Sequence, residues 1–565
     1  MSGDVMRAGE CPRSRTLPDL LDEMAARRPA REFIVGGETR LTYAETRARV
    51  RRLAKGLYQL GVRRSDKVAL LMDNRVEWLL VDFAVTLLGA TLVPISTWSR
   101  SRELGYVLNH CDATTFITID RFLGQDYLAM LAEIGAPGSD RLPQLKRVVP
   151  VGAERPAGMV RFEDLWDMGA DVSDATLDAC QRAVTPDDVA YILYTSGTTS
   201  TPKGVQLQHR GLIENTWNIG ERQHLGPDDR MWMGISLFWS FGCLNALGAV
   251  LTHGGCIVLQ THFDAAFALA LIERERCTVY YGTPNIALAL WEHPDRPRRD
   301  LSSLRTGAAI GPPPAMQMVM DLGAREICNV YGLTECYGNS NVSDASDPVD
   351  VRLHSVGRAL PGMEIRIVDR DTRRPLPAGE IGEILIRGHL TPGYYKDPER
   401  NAAAFDAEGF FLTGDLGLID ADGHLHFRGR IKEMVKTGGI NVAPLEVEEV
   451  LLGHGSVEQA YVIGLPDPRH EEILAAAVVL KDGRHASEEE LRAFCKQALA
   501  AFKVPQHFRI MTRADLPVTA TGKVQKFQLQ ETLAAELRGR VGDERELPPP
   551  ERGGSAEVAR GGCAL

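Results

Sequence analysis

From Tyr191 to Val205 the chain reads Tyr-Ile-Leu-Tyr-Thr-Ser-Gly-Thr-Thr-Ser-Thr-Pro-Lys-Gly-Val, a crowd of hydroxyls and glycines closed by a lysine. Small residues leave backbone N–H groups uncovered, hydroxyls add donors and Lys203 adds positive charge, so the segment suits phosphate oxygens. It is not the common triphosphatase loop G-x-x-x-x-G-K-S/T, because Pro202 stands where that motif needs glycine. Val205-Gln206-Leu207 also continues as a strand, whereas that motif opens directly into a helix.

Four further stretches carry chemistry. They are Asn329-Val330-Tyr331-Gly332-Leu333-Thr334-Glu335, Phe411-Leu412-Thr413-Gly414-Asp415, Gly429-Arg430-Ile431-Lys432 and Pro517-Val518-Thr519-Ala520-Thr521-Gly522-Lys523. With the phosphate loop, and in this order, they resemble the signature motifs of the adenylate-forming superfamily. That superfamily contains acyl-CoA synthetases, peptide-synthetase adenylation domains and beetle luciferases. The resemblance covers roughly residues 40 to 530.

The reaction it implies begins with a carboxylate attacking the α-phosphorus of ATP. Carboxylic acids are ionised at neutral pH, so no general base is required. The obstacle is bringing two anions together and stabilising the added charge, for which lysine and Mg²⁺ are the natural tools. By resemblance, Thr195, Ser196, Gly197, Thr198, Thr199 and Lys203 hold the β- and γ-phosphates, Glu335 ligates Mg²⁺ and Thr334 contacts the α-phosphate. Gly307, Ala308, Ala309 and Tyr331 frame the adenine, with the tyrosine stacking, and Gly332 belongs with the ATP/AMP-binding residues. Asp415 takes the ribose hydroxyls with help from Arg430, and Lys523 is the catalytic lysine of adenylation, with Thr334 and Glu335 beside it. Lys432 is the hinge about which a small domain turns between half-reactions. Lys436, Gly438 and Gly439 then pass the pantetheine arm of CoA, whose thiol, with a pKa of about 8.5, attacks the mixed anhydride.

The acyl pocket is expected from Trp239, Gly242, Thr283, Pro284, Ile310, Tyr337 and Gly338. Trp239 stands where many relatives have histidine, and reads as either a pocket gate or a core residue. The stretch Leu237-Phe238-Trp239-Ser240-Phe241-Gly242 has no aspartate to pair an amino-acid ammonium group. A free carboxylic acid with a hydrophobic body therefore fits, aliphatic, alicyclic or aromatic, and Trp239 and Tyr337 favour a small or medium one. The expected product is an acyl-CoA. A rival acceptor is a separate acyl-carrier protein, no fused carrier domain being expected after Lys523. A rival of another class is an inactive nucleotide-binding relative, against which Lys203, Glu335, Asp415 and Lys523 are all retained.

The elements that must position these residues alternate between helix and strand. Val50, Leu53, Ala54 and Leu57 make one helical face, with Arg47, Arg49, Arg51 and Arg52 forming a solvated one. Strands are predicted at 68–72, 90–95, 189–194, 256–259 and 278–281, and the apolar run 78–95 as a helix entering a buried strand. After about Gly382 the texture is glycine-punctuated and β-rich, with strands at 383–387 and 425–427. Then come a helix at 445–452, strands at 460–463 and 473–480, and a helix opened by Ser487 and Glu490 as a capping box. The expected fold is α/β. A large N-terminal domain (15–429) holds α/β sheet subdomains plus a β-rich subdomain, a small mobile α+β C-terminal domain spans 430–541, and 542–565 is a disordered tail.

Composition agrees with an enzyme of this kind. The 565 residues are too many for one ordinary domain, and a net charge of −11 argues against nucleic acid as the main partner. Ten scattered cysteines form no CxxC pair or zinc spacing, as in a reduced protein. No signal peptide or membrane span is read, and Cys563-Ala564-Leu565 is neither a prenylation box nor a peroxisomal tail, so a cytoplasmic location is expected without stable membrane insertion. The expected small-molecule partners are the acid, ATP and CoA, and a homodimer is admissible.

Overall fold

The computed structural model describes residues 11–152, 158–195, 202–437, 440–467, 471–518 and 524–543. The chain divides into two compact units, Met1–Arg428 and Gly429–Leu565.

Local chemistry sets the first unit's elements. The helix Tyr43–Leu60 begins at a capping box in which Thr42 and Glu45 satisfy each other's backbone donors, and it stops at Gly61, whose φ of 100° favours glycine. Its Val50, Leu53, Ala54 and Leu57 are buried. The arginine face is not simply solvated. Arg47 pairs with Asp22 at 2.7 Å, and Arg51 pairs with Asp178 at 2.8 Å on the helix Asp174–Ala183. Helix Val76–Leu87 runs into the buried strand Thr91–Ile95, as its hydropathy predicts.

Two large sheets organise this unit. In the six-stranded one, Val189–Thr195, Thr91–Ile95, Lys67–Leu71, Ala113–Ile119 and Arg147–Val151 lie parallel, and Lys203–Gln208 closes one edge antiparallel to Val189–Thr195. The nine-stranded sheet has six parallel strands at its centre, ordered Cys328–Tyr331, Thr306–Ala309, Val279–Gly282, Arg230–Met233, Cys256–Leu259 and Glu32–Gly36. These strands are almost wholly apolar because helices cover both faces of a parallel sheet. A four-stranded sheet of Glu364–Val368, Gly382–Arg387, Phe411–Ile419 and Leu425–Arg430 forms the β-rich region. It starts earlier than the sequence texture predicts, because Glu364–Val368 carries its isoleucines between charged residues.

In the second unit, strands Val457–Asp467 and Glu471–Leu480 pair antiparallel, and His507–Met511 joins the latter in parallel. Alternation sorts the side chains onto two faces. Leu474, Ala476 and Val478 pack with Val447, Leu451 and Leu491 of the helices Pro444–Leu452 and Glu488–Ala498, the second opened by the expected Ser487–Glu490 capping box. Ile473, Ala475 and Ala477 pack with Leu529 and Leu533 of the helix Lys526–Asp543. That last helix runs through Gly542 and Asp543, two residues into the segment read from composition as tail.

Candidate active site

Four neighbouring parallel strands of the nine-stranded sheet end together, and ligands of open α/β sheets bind at such carboxyl ends. Cys328–Tyr331 leads into Gly332–Glu335, Thr306–Ala309 into Ile310, Val279–Gly282 into Thr283 and Pro284, and Arg230–Met233 into the segment bearing Trp239 and Gly242. The adenine and acyl-pocket candidates are thereby gathered from distant parts of the chain. Gly307 has φ 130°, and a Cβ there would run into the Tyr280 carbonyl of the adjacent strand. Ala308 and Ala309 are buried beside it, Ile310 is exposed, and Thr283 caps the helix whose first residue is Pro284. Trp239 is half-buried against the core, and its carbonyl accepts from Gly242 N at 2.8 Å as the chain enters a π-helical turn, Phe241–Ala246. Such turns recur at functional sites because the extra residue re-aims neighbouring side chains.

The phosphate-loop stem is the strand pair Val189–Thr195 and Lys203–Gln208, with Thr195 directly opposite Lys203. Ser196, Gly197, Thr198 and Thr199 lie outside the described residues. The Thr195 hydroxyl is buried with no hydrogen-bond partner among the described residues, which a phosphate oxygen would relieve. Around the stem, Tyr194 OH meets His110 Nδ1 at 2.6 Å and Tyr106 OH donates to the Pro202 carbonyl at 3.1 Å.

Glu335 is the hub. It lies in the buried turn Thr334–Cys336, and Lys203 Nζ donates to its Oε1 at 2.5 Å. Tyr394 OH donates to the same oxygen at 2.8 Å and accepts from Lys203 Nζ at 3.0 Å. Oε2 accepts no hydrogen bond among the described residues. Burial and the adjacent Glu335 charge push the Tyr394 hydroxyl well above its ordinary pKa, so it stays a donor. Burial pushes the Cys336 thiol up to about 12, which removes it as a nucleophile despite its place beside Glu335. Gly332 lets the chain double back, since a Cβ would meet the Gly338 carbonyl. Tyr337 wedges between this turn and helix His209–Arg222, its ring against Gly211 and its hydroxyl accepting from Gln208 N at 3.2 Å. Gly338, at φ 103°, leaves no room for a Cβ beside Asn245.

Asp415 sits on a bulge. Between the pairs Leu385↔Leu412 and Glu383↔Leu416, Ile384 alone opposes Thr413, Gly414 and Asp415. Thr413 Oγ1 donates to the Ile384 carbonyl at 2.7 Å and accepts from Asp415 N at 3.0 Å, while Gly414 takes φ 68°. The bulge delivers the buried Asp415 carboxylate to Tyr331, whose hydroxyl donates to Oδ2 at 2.8 Å. One face of the Tyr331 ring is stacked on Phe427 at 5.6 Å.

In the second unit, Arg430 ends the strand Leu425–Arg430 and Lys432 lies in the following turn, Ile431–Glu433. Lys436 is exposed on the strand Val435–Thr437, its N–H bonded to Glu472 Oε2 at 2.7 Å. Gly438, Gly439 and Lys523 lie outside the described residues.

A family model described as AMP-binding enzyme matches residues 21–395, and one described as AMP-binding enzyme C-terminal domain matches 446–523. The chain belongs to the AMP-binding enzyme family. Its relatives include a methyl-dioxo-octahydro-indenyl-propanoyl:CoA ligase of Rhodococcus jostii (strain RHA1), 37% identical with 90% of this chain and 98% of the relative covered. Another is the mitochondrial medium-chain acyl-CoA ligase ACSF2 of Danio rerio, 32% identical over 93% of this chain and 89% of the relative. Among solved structures, ATP-bound MatB from Rhodopseudomonas palustris superposes with a TM-score of 0.79 at 28% identity, covering 92% of this chain and 99% of MatB. The fold is that of the adenylate-forming enzymes.

AMP-binding enzymes of this kind use ATP, Mg²⁺ and CoA, and the donor set suits the metal. One hard carboxylate beside substrate phosphates is how Mg²⁺ is commonly held, and Glu335 offers Oε2 for it. Two residues of this site carried no sequence signal. Tyr394 reaches Lys203 because Gly393–Tyr395 pairs with the loop strand, Gln206 N donating to the Gly393 carbonyl and Tyr395 N to that of Gly204. Asn215 stitches the turn after Glu335, its amide donating to the carbonyls of Cys336 at 3.1 Å and Asn339 at 2.8 Å. Neither stands in one of the five motifs quoted above, and their partners are distant in the chain.

Proposed function

We propose that the protein is an AMP-forming carboxylic acid–CoA ligase that makes an acyl-adenylate with release of pyrophosphate, then the acyl-CoA with release of AMP. The observation that carries this reading is the contact between Lys203 and Glu335, which joins the lysine of the phosphate loop to the acid of the second motif across the site. In the reading, Thr195 and Lys203 hold phosphates, Thr334 faces the α-phosphate, Asp415 takes the ribose and the Tyr331 ring frames the base. Glu335 would hold Mg²⁺, which when bound neutralises phosphate charge. Lys523 is then brought in to stabilise charge as the carboxylate attacks. Because the acid is already an anion, positioning and charge stabilisation are the work the protein must do.

The substrate in this proposal is a small or medium acid with a hydrophobic body, in keeping with the half-buried Trp239 and with relatives named for alicyclic and medium-chain acids. The acceptor is free CoA, the compartment the cytoplasm, and a homodimer is allowed. Among the described residues no helix is long and apolar enough to cross a membrane.

The test is pyrophosphate release from ATP and Mg²⁺ with a panel of carboxylic acids, with and without CoA. Acid-dependent release, with AMP and a thioester once CoA is added, is expected. Release without any CoA thioester would move the acceptor to a carrier protein, and no release across a broad panel would overturn the ligase.

A further inference from the structure

The Lys203–Glu335 pair poses a conflict. Lys203 is needed at a nucleotide phosphate and Glu335 at the metal, yet here they hold each other. When Lys203 leaves, a carboxylate that is 4% exposed loses a cationic partner, and a buried unpaired carboxylate is costly. Tyr394 is placed to meet that moment. Its hydroxyl bonds the same Glu335 oxygen, and its ring lies 4.5 Å from Lys203 Nζ, under the ammonium.

Tyr394 is itself fixed by its surroundings. Asn401 Oδ1 accepts from its N–H at 2.6 Å and Asn401 Nδ2 donates to its carbonyl at 3.0 Å, so both backbone groups are clamped by one side chain. Tyr394 also bridges Val205 across the strand pairing. Two residues upstream of Gly393, Thr391 N donates to the Glu335 carbonyl at 2.7 Å. The backbone around Tyr394 is therefore anchored to both the loop strand and the Glu335 turn, and the Lys203 side chain can swing away while the Tyr394 hydroxyl stays against Glu335.

We infer that Tyr394 is a positioning residue that keeps Glu335 Oε1 bound after Lys203 departs to the nucleotide, so that Oε2 stays turned to receive the metal. This rests on the proposed ATP-using reaction. It assigns Tyr394 no contact with substrate. It acts through Glu335, and its loss is felt in how strongly Mg²⁺ reinforces ATP binding. Removing a partner that orients a metal ligand costs about 10-fold or more in metal affinity.

The experiment is calorimetric titration of the full-length protein with ATP, with and without Mg²⁺, for the unaltered chain and for Tyr394→Phe. The ratio of the two affinities measures the metal's reinforcement. That ratio is expected to fall about 10-fold in Tyr394→Phe. Glu335→Gln alone should abolish the reinforcement, and adding Tyr394→Phe to it should then change nothing further, which separates action through Glu335 from a general loss of fold. If Tyr394→Phe is poorly folded, Asn401→Ala, which loosens the clamp and leaves the hydroxyl, should lower the ratio in the same direction. An unchanged ratio in a folded Tyr394→Phe overturns the inference while leaving the ligase intact, provided the unaltered protein releases pyrophosphate. An unaltered protein whose ATP affinity ignores Mg²⁺ overturns both.

Discussion

The Tyr331 hydroxyl donates to Asp415 Oδ2 at 2.8 Å, tying the end of a parallel strand in the nine-stranded sheet to the bulge of the four-stranded one. The base-framing and ribose-binding candidates are thus one unit. Asp415→Ala is expected to raise the KM for ATP about 10- to 100-fold, as loss of hydrogen bonds to a charged group does. Tyr331→Phe, which keeps the ring on Phe427, should raise it about 10-fold. The KM for the acid should move less than twofold to threefold in both, roughly, since neither contact reaches the acyl candidates. Steady-state kinetics with each substrate varied decides this, and equal rises for both substrates would count against the assignment.

Lys203→Ala should lower acid-dependent pyrophosphate release by about 10²- to 10³-fold, the size of effect seen when a charge-stabilising donor is removed. The same change leaves the Glu335 carboxylate with Tyr394 as its remaining hydrogen-bond donor among the described residues. A thermal-unfolding loss of about 1–3 kcal/mol is therefore expected in the absence of nucleotide. Kinetic loss without any change in stability would mean the observed pair is energetically idle.

Lys523→Ala should separate the two half-reactions. Adenylation should fall by about 10²-fold or more, while thioester formation from supplied acyl-adenylate and CoA should persist. Single-turnover assays of each step make the measurement, and equal losses in both would remove Lys523 from its proposed role.

Asp82 makes stability depend on pH. It is fully buried in helix Val76–Leu87 and accepts one hydrogen bond, from Tyr191 OH at 2.8 Å, while its other oxygen has no partner among the described residues. Beside it lie Cys243 and a cavity of about 10 Å³ with apolar walls. Burial pushes the carboxyl up to about 7 against the lowering bond from Tyr191. The folded state therefore holds this proton more tightly than the unfolded chain. Its contribution is complete below the unfolded pKa near 4 and is lost as pH rises through about 7. The stability lost across that range is expected to be on the order of a few kcal/mol. His209, which burial lowers to about 4, slopes the other way over part of that range. The informative quantity is accordingly the difference between the native chain and Asp82→Asn. That difference in Tm should shift in favour of Asp82→Asn from pH 5 to pH 8, and a pH-independent difference would contradict it.

Trp239→Ala should widen the acid range. Removing a half-buried indole from the segment after Arg230–Met233 opens volume, so kcat/KM should shift towards longer acids by about 10-fold or more. A uniform loss across all chain lengths would mark Trp239 as core support.

What could be read in advance was local. The capping boxes at Thr42 and Ser487, the apolar face of Tyr43–Leu60 and the buried strand after Val76–Leu87 depend on neighbours a few residues apart. The motifs could be read because each is contiguous. Tyr394 could not, since its two partners stand 59 and 191 residues away and meet it only through strand pairing. Asp82 stands as a charge inside the apolar run 78–95, but its partner Tyr191 is 109 residues distant. Arg51 looked solvated for the same reason, its carboxylates belonging to a helix over 100 positions on.

The bulge at Asp415 inserts two residues, not one, opposite Ile384. The paired insertion keeps odd and even positions on their own faces along the strand, whereas the single extra residue Glu458 in Val457–Asp467 is absorbed by a bulge that moves the core-facing positions from Val457 to Ala460 and Val462. Phe411 and Gly417, on either side, accordingly both remain buried and pair with Ile386 and Gly382. The sheet's architecture and the proposed ribose-binding acid can thus be inherited separately. Deleting Thr413 and Gly414 together would remove the turn that presents Asp415 to Tyr331 yet leave a continuous ladder, whereas losing Gly414 alone would leave a one-residue bulge. A chain of this lineage could lose the Asp415–Tyr331 contact and keep its sheet.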